Sequence, residues 1–192
     1  MLMSMMQTIE QGAQKTQERL ERLLLCVAGG EQEALEALYH GTRAAVYALA
    51  LSLLKNTHDA EDVTQDTYVR IWENAAAAYR PQGSPMAWVL TVARNLARMK
   101  LRQSAKFAEL DEQQWDAIPA ECDLDVEERY LLQTALSKLS DEERQIVLLH
   151  AVSGLKHREI AHLLEKPLAT VLSKYNRALK KLKTQLEGGD AL

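Results

Sequence analysis

The 192-residue sequence is poor in cysteine, proline and phenylalanine. It contains one Phe, four Pro and two Cys, and the cysteines, Cys26 and Cys122, lie far apart with no CxxC or Cys/His spacing. This pattern provides neither a zinc site nor a disulfide framework, and it favours a reducing, cytoplasmic setting. No run of about 18 apolar residues occurs, so the sequence predicts no membrane-spanning helix.

The residue groupings that catalysis needs are also missing. No Ser/His/Asp or Cys/His constellation, phosphate-binding loop or metal-ligand spacing is visible, and the histidines are scattered over separate predicted elements. His157 and His162 are expected on helix surfaces rather than as ligands. The sequence therefore predicts a protein that is not an enzyme and that has no metal, cofactor or small-molecule substrate.

Apolar residues make up 47% of the chain, which is enough for a packed core, and the dominance of Leu and Ala is typical of an all-α protein. The formal net charge of −4 argues against a protein that coats nucleic acid by electrostatics alone. The charge is nevertheless uneven along the chain. Five basic residues and no acidic ones lie between positions 94 and 106, and a markedly acidic stretch follows.

Helical periodicity predicts two small helical domains on a flexible tether. The first helix is expected from Gln17 to Val27, followed by three more. The stretch after position 104 is acidic, lacks sustained helical periodicity and contains Pro119, so it is interpreted as a linker. The predicted units are a mobile leader (1–16), a four-helix domain (17–103), a flexible acidic linker (104–125), a helix-turn-helix domain (126–187) and a tail (188–192).

The stretch after Leu139 predicts a helix-turn-helix. Ser140 and Glu143 form a capping box that begins a helix, and Gly154 is placed to end it. Pro167 cannot continue the next, short helix but suits the first turn of the last one. The last helix has one apolar face and a polar, basic outer face, which favours DNA binding. A helical hairpin with a solvated basic face is the alternative.

The third and fourth predicted helices carry opposite charges. Asp59 is expected to cap the third helix (59–78), whose outer face is an acidic strip; such a strip is usually only a solvated face. The fourth helix begins at Pro85 and combines basic residues with Trp88. This combination is typical of a surface that follows a nucleic-acid backbone and stacks a displaced base, whereas a purely core role is the alternative for Trp88.

Three segments, in this order, resemble the extracytoplasmic-function (group IV) sigma factors of bacterial RNA polymerase. The family's core-binding helix is similar to DAEDVTQDTYVRIWENA, and its minus-10 recognition and melting helix is similar to SPMAWVLTVARNLARMKLRQ. Its minus-35 reading domain is similar to LSDEERQIVLLHAVSGLKHREIAHLLEKPLATVLSKYNRALKKLK. The resemblance implies an alternative sigma factor that binds core RNA polymerase and directs it to promoters.

The resemblance also implies a separate task for each surface. It assigns core-polymerase binding to Asp59, Asp62, Gln65, Asp66 and Trp72. It assigns binding of minus-10 DNA to Arg80, Gln82, Ser84, Trp88, Arg94, Asn95, Arg98, Lys100 and Arg102. It assigns binding of minus-35 DNA to Arg158, Thr170, Ser173, Lys174, Arg177 and Lys181. It further implies a cytoplasmic protein that is held inactive by an anti-sigma factor, often one anchored in the inner membrane.

The chain departs from the family's pattern at several positions. Glu165 and Ala169 stand where Gly is common, Leu172 where a basic residue is common, and Met99 where Asp is common. These departures leave the detailed minus-35 contacts open. Two other readings stay open: a helix-turn-helix regulator that binds operators as a dimer, and a sigma-like adaptor that binds only proteins.

Overall fold

A computed structural model describes the backbone of residues 2–104 and 136–188 and the side chains of residues 14–103 and 136–184. This part of the chain contains no strand, so the predicted all-α class is confirmed. The acidic linker and the part of the second predicted domain before position 136 lie outside the described residues. The helices are α1 (Leu2–Ala28), α2 (Gln32–Leu54), α3 (Thr57–Ala78), α4 (Pro85–Ser104), α5 (Asp141–Ala151), α6 (His157–Leu163) and α7 (Leu168–Gly188).

The start of the first helix differs from the prediction. The helix begins at Leu2 and not at Gln17, so the leader expected over 1–16 is helical from its second residue. These residues are mostly good helix formers and include no Pro, so nothing local stops the helix. The sequence-based boundary followed the first leucines with an amphipathic spacing, and of these Leu20 and Leu24 are buried.

Helices α1 to α4 pack into the first domain around two clusters of buried apolar side chains. Leu24, Leu38, Ile71 and Val89, one from each helix, are fully buried. Asn56, not Asp59, caps α3: its side-chain oxygen accepts the backbone N–H of Asp59 at 2.9 Å. The cap therefore lies three residues before the expected one, because Asn is as good a cap as Asp.

Helices α5 to α7 form the second domain, and its local signals are confirmed. The Ser140 hydroxyl accepts the N–H of Glu143, whose carboxylate accepts the N–H of Ser140. Gly154 follows α5 with φ 66°, a left-handed conformation that Gly adopts without strain. Pro167 immediately precedes α7. Val171 and Ala178, on the inner face of α7, are fully buried.

The two domains contact each other through α2 with α5 and α4 with α6. Lys55 at the end of α2 binds Asp141 at 2.5 Å. The Gln145 amide donates to the Ser52 hydroxyl at 3.2 Å, and the fully buried Ile146 belongs to the same apolar cluster as the core of the first domain. Within ranges 2–104 and 136–188, no helix is long and apolar enough to cross a membrane.

Candidate nucleic-acid interface

The outer face of α3 combines charge with exposed apolar surface. Gln65 and Asp66 are exposed, as predicted. Trp72 is 41% exposed and Val69 is 56% exposed, one turn earlier on the same helix. The sequence interpretation missed Val69, although an apolar residue between Asp66 and Trp72 on a polar face was a usable signal. A large aromatic that stays accessible next to carboxylates is typical of a protein-binding surface.

Two of the carboxylates expected on that surface hold a lysine of α4. Lys100 Nζ lies 2.8 Å from Asp59 and 2.7 Å from Asp62. The hydrogen bond from Lys100 lowers the pKa of Asp62. Partial burial acts to lower the pKa of Lys100, but the hydrogen bonds to both carboxylates outweigh it and raise that pKa. Lys100, predicted on minus-10 DNA, therefore joins α4 to the first turns of α3.

The polar side chains of the loop between α3 and α4 differ in exposure and in role. Arg80 and Gln82 are exposed, and Gly83 has φ 85°, a left-handed turn conformation. Ser84 instead caps α4, because its hydroxyl accepts the backbone N–H of Ala87 at 3.3 Å. Trp88 is half-buried and packs edge-to-face on Tyr79, with 5.0 Å between ring centroids. Trp88 thus contributes to packing, which is the alternative role considered for it in the sequence analysis.

The basic face of α4 is partly occupied by the second domain. Asn95 and Arg102 are exposed. Arg94 and Arg98, one turn apart, both donate to the carboxylate of Glu165, at 3.0 Å and 3.4 Å. Glu165 is the left-handed residue of the turn between α6 and α7, with φ 55°. A cleft of about 440 Å³ beside this contact is lined by Thr91, Asn95, Ala161, His162 and Lys166.

Helix α7 presents a polar outer face, as the helix-turn-helix prediction requires. Arg158 of α6 is exposed, Ser173 and Arg177 of α7 are exposed, and Thr170 is half-buried. Leu172, where the family commonly has a basic residue, is 40% exposed on this helix. The exposed residues lie away from the buried Val171 and Ala178, so one side of α7 faces the core and the other faces solvent.

The remaining two residues predicted on minus-35 DNA are engaged within the second domain. Lys174 binds Glu142 at 2.5 Å, and the same carboxylate binds Lys166 at 2.6 Å. Lys181 binds Glu143 at 2.6 Å. These lysines hold the pKa values of Glu142 and Glu143 at about 2, well below the usual range. The ion pairs of Lys174 and Lys181 join the start of α5 to α7, so they brace α7 from its flank.

The depressed pKa values make a prediction about acid stability. Each carboxylate has a lower pKa in the folded protein than in the unfolded chain, so its contribution is complete above the unfolded value near 4.5 and is lost as pH falls towards 2. The melting temperature of the second domain should therefore drop below about pH 4.5. In circular dichroism melts, the melting temperature of Glu142→Gln should be lower than that of the wild type at pH 7. It should then fall less steeply as pH is lowered. An equal slope would contradict this assignment.

One histidine expectation is wrong and the other is confirmed. His162 is exposed. His157 is instead part of an aromatic cluster, stacked on His150 at 4.6 Å and edge-on to Tyr175 at 4.4 Å between ring centroids. Burial lowers the pKa of His157, and the neighbouring His150 acts in the same direction. The surface reading failed because residues at the start of a short helix can turn inward against the next helix.

Comparison with protein families assigns both domains. The family model described as Sigma-70 region 2 matches residues 38–107, and that described as Sigma-70, region 4 matches residues 129–182. The matches cover α2 to α4 and the helix-turn-helix, which are the elements that carry the candidate surfaces. The chain is thus a protein built from sigma-70 regions 2 and 4.

Relatives that match over nearly their whole length identify the group within the sigma-70 family. The ECF RNA polymerase sigma factor SigK of Mycobacterium bovis (strain BCG / Pasteur 1173P2) is 31% identical over 183 residues, covering 92% of this chain and 98% of that protein. SigK of Mycobacterium sp. (strain KMS) is 31% identical over 175 residues, covering 87% and 90%. The chain belongs to the extracytoplasmic-function sigma factors of the sigma-70 family. It is an alternative sigma factor for transcription initiation, not an enzyme.

Solved structures share the fold. CnrH, in complex with the cytosolic domain of CnrY, aligns with a TM-score of 0.59 at 24% identity over 88% of this chain and 98% of that one. The sigma factor RpoE of Bartonella quintana, in complex with the anti-sigma factor NepR, aligns with a TM-score of 0.57 at 24% identity over 76% and 92%.

Proposed function

We propose that the chain divides promoter recognition between its two domains and docks on core RNA polymerase through α3. In this assignment the domain over 17–103 binds polymerase and the minus-10 element, and the domain over 126–187 reads the minus-35 element. The observation that carries the proposal is the polar outer face of α7. Its Ser173, Arg177 and Lys180 are exposed, while Val171 and Ala178 attach the helix to the core from the opposite side.

The polymerase contact is assigned to the outer face of α3. Gln65, Asp66, Val69 and Trp72 offer an exposed patch of mixed polarity, with an aromatic anchor at its C-terminal end. Asp59 and Asp62 support this patch from its N-terminal edge, where they bind Lys100. The proposed partner surface is the coiled coil of the largest polymerase subunit, which would bring basic residues to these carboxylates.

The minus-10 contact is assigned to the loop before α4 and to α4 itself. Opening the duplex costs on the order of a few kcal/mol per unstacked base, so a pocket and phosphate contacts must supply that energy. Arg80, Gln82 and Asn95 are exposed and would receive a base flipped from the non-template strand. Arg94, Arg98 and Arg102 would hold backbone phosphates, because guanidinium groups bind phosphate oxygens in pairs.

The minus-35 contact is assigned to the outer face of α7 in the major groove. Thr170, Ser173 and Arg177 would face base edges, with Arg158 on a phosphate. Lys174 and Lys181 lie on the flank that faces α5, where they hold Glu142 and Glu143. A DNA contact by either lysine would require it to share or leave its carboxylate.

The chain's regulation is proposed from the family. The acidic linker over 104–125 would thread towards the polymerase active centre and the RNA exit path. A cytoplasmic location follows from the partners, core polymerase and promoter DNA. An anti-sigma factor, free or anchored in the inner membrane, would hold the chain inactive. The similar sigma factor RpoE is in complex with the anti-sigma factor NepR in its solved structure.

Transcription with purified components tests the proposal. The protein is mixed with bacterial core RNA polymerase and genomic promoter fragments, and the transcripts are sequenced. We expect start sites that depend on the protein and share two upstream elements at constant spacing. Protein-dependent starts that lack one of the two shared elements would overturn the assignment of that element to its domain.

A further inference from the structure

A carboxylate in the turn of the helix-turn-helix lies on the basic face of α4. Glu165 accepts hydrogen bonds from Arg94 at 3.0 Å and from Arg98 at 3.4 Å. The two arginines are four residues apart, so they project from the same side of the helix and reach one carboxylate. Arg94 keeps only 12% of its side-chain exposure, so the contact leaves it little access to other anions.

The backbone at Glu165 favours a smaller residue. Its φ of 55° lies in the left-handed region, where a side chain meets a steric cost that glycine avoids. Residues held in such conformations are concentrated at functional sites, where the surrounding contacts maintain them. At Glu165 those contacts are the two ion pairs to the other domain, so the turn and the interdomain contact depend on the same residue.

The chemistry of the contact resembles phosphate binding. Carboxylate and phosphate oxygens are bound by guanidinium groups in the same way, through parallel charge-assisted hydrogen bonds. Arg94 and Arg98 are two of the residues assigned above to backbone phosphates of the minus-10 region. A single anion on this pair of arginines excludes a second one, both by occupying the N–H donors and by charge repulsion.

Other contacts keep the two domains in the same arrangement. The ion pair between Lys55 and Asp141, at 2.5 Å, and the hydrogen bond from Gln145 to Ser52, at 3.2 Å, join α2 to α5 on another part of the interface. The buried Ile146 adds apolar contact between the domains. Glu165 is therefore held over α4 by an interface, not by its own ion pairs alone.

We propose that Glu165 occupies, in the protein without polymerase, the site on Arg94 and Arg98 that a promoter phosphate takes during initiation. The surface formed by α4 and the helix-turn-helix turn is then a specific interdomain interface whose partner is the chain's own second domain. Promoter DNA reaches Arg94 and Arg98 only when the domains separate, which docking on polymerase brings about. This inference rests on the proposed function and adds the competition between Glu165 and DNA.

The contact responds to salt and not to physiological pH. The hydrogen bond and charge of Arg94, with a smaller effect from Arg98, hold the pKa of Glu165 at about 2. The carboxylate is therefore ionised at every pH at which transcription occurs. Because Glu165 and Arg98 are substantially exposed, added salt screens their attraction.

Two substitutions of Glu165 test the competition. Glu165→Gln removes the charge and keeps the size, and Glu165→Gly also relieves the backbone. Fluorescence anisotropy would measure their binding to a fluorescein-labelled single strand carrying the minus-10 element of a promoter mapped by transcript sequencing. We expect both variants, without polymerase, to bind about threefold to tenfold more tightly than the wild type, the range for losing one or two partly exposed ion pairs. Glu36→Gln, which removes an exposed charge from α2, is the matched control.

The same titration with polymerase holoenzyme distinguishes competition at Arg94 and Arg98 from the general gain in DNA affinity that follows the loss of any negative charge. We expect the wild type and Glu165→Gln to bind equally in the holoenzyme, where the domains are apart. A gain that persists there, or variants within twofold of the wild type without polymerase, would overturn the assignment of Glu165. Circular dichroism melts verify that each variant is folded. A wild-type protein that supports no transcription with core polymerase would instead defeat the proposed function.

Discussion

Replacing Asp66 by Arg and Trp72 by Ala together is expected to abolish binding to core RNA polymerase while the protein stays folded. Both residues are exposed on the outer face of α3, so the substitutions leave the core unchanged. Truncation of an aromatic anchor costs on the order of 2 kcal/mol or more, and the reversed charge adds repulsion from a basic partner surface. We expect the dissociation constant to rise by at least about 100-fold, measured by fluorescence titration of labelled core polymerase.

The choice of Asp66 over Asp62 makes this test specific. Asp62 binds Lys100, so an arginine there would also repel α4 and disturb the fold. Glu36→Arg on α2 is the matched control, because it reverses an exposed charge on a helix outside the proposed surface. If the double variant binds polymerase as the wild type does, the α3 surface is not the docking site.

Replacing Arg177 by Ala is expected to reduce and broaden minus-35 recognition. Arg177 is exposed on the outer face of α7, and a bidentate arginine contact to a base is worth about 1–3 kcal/mol of discrimination. Promoter affinity should therefore fall by about tenfold, with loss of preference at one base pair. The measurement is selection of promoters by holoenzyme from a library with a randomised minus-35 element.

Lys180→Ala on the same face is the matched comparison. A lysine that contacts phosphate should weaken binding similarly for all sequences and lower the slope of log affinity against log salt by about one. If Arg177→Ala instead selects the same element with the same preference, Arg177 is not a base-reading residue. The same selection reports on Leu172, whose exposed side chain offers apolar contact of the kind that a thymine methyl accepts.

Features set by neighbouring residues could be predicted from the sequence. The capping box of Ser140 and Glu143, the left-handed Gly154 and the Pro167 boundary each depend on a few adjacent positions, and all are confirmed. Apolar periodicity likewise identified the buried face of α3, because a helix repeats every 3.6 residues whatever it packs against. On α7 it identified the buried Val171 and Ala178, whereas Leu172 and Leu179, expected on the same face, are exposed.

Pairings between distant side chains could not be predicted. The Lys100 pair with Asp62 spans 38 positions, and the Arg94 pair with Glu165 spans 71. Each side chain reads as a solvent-exposed charge in its own helix, and only the packing of helices decides which charges meet. The sequence shows that Glu165 departs from the family's pattern at a turn. It does not show that the partners of its carboxylate, Arg94 and Arg98, belong to the other domain.

The Lys100 bridge has a consequence for how the two partners affect one another. Asp59 and Asp62, beside the surface proposed to bind polymerase, pair with Lys100, which belongs to the helix proposed to bind DNA. A basic side chain of polymerase that binds these carboxylates would weaken their ion pairs with Lys100. The Lys100 ammonium group would then be available to bind a DNA phosphate. Thermodynamic linkage makes such an effect mutual. Through one shared lysine, core polymerase would raise affinity for the promoter by the same factor as the promoter raises affinity for core polymerase.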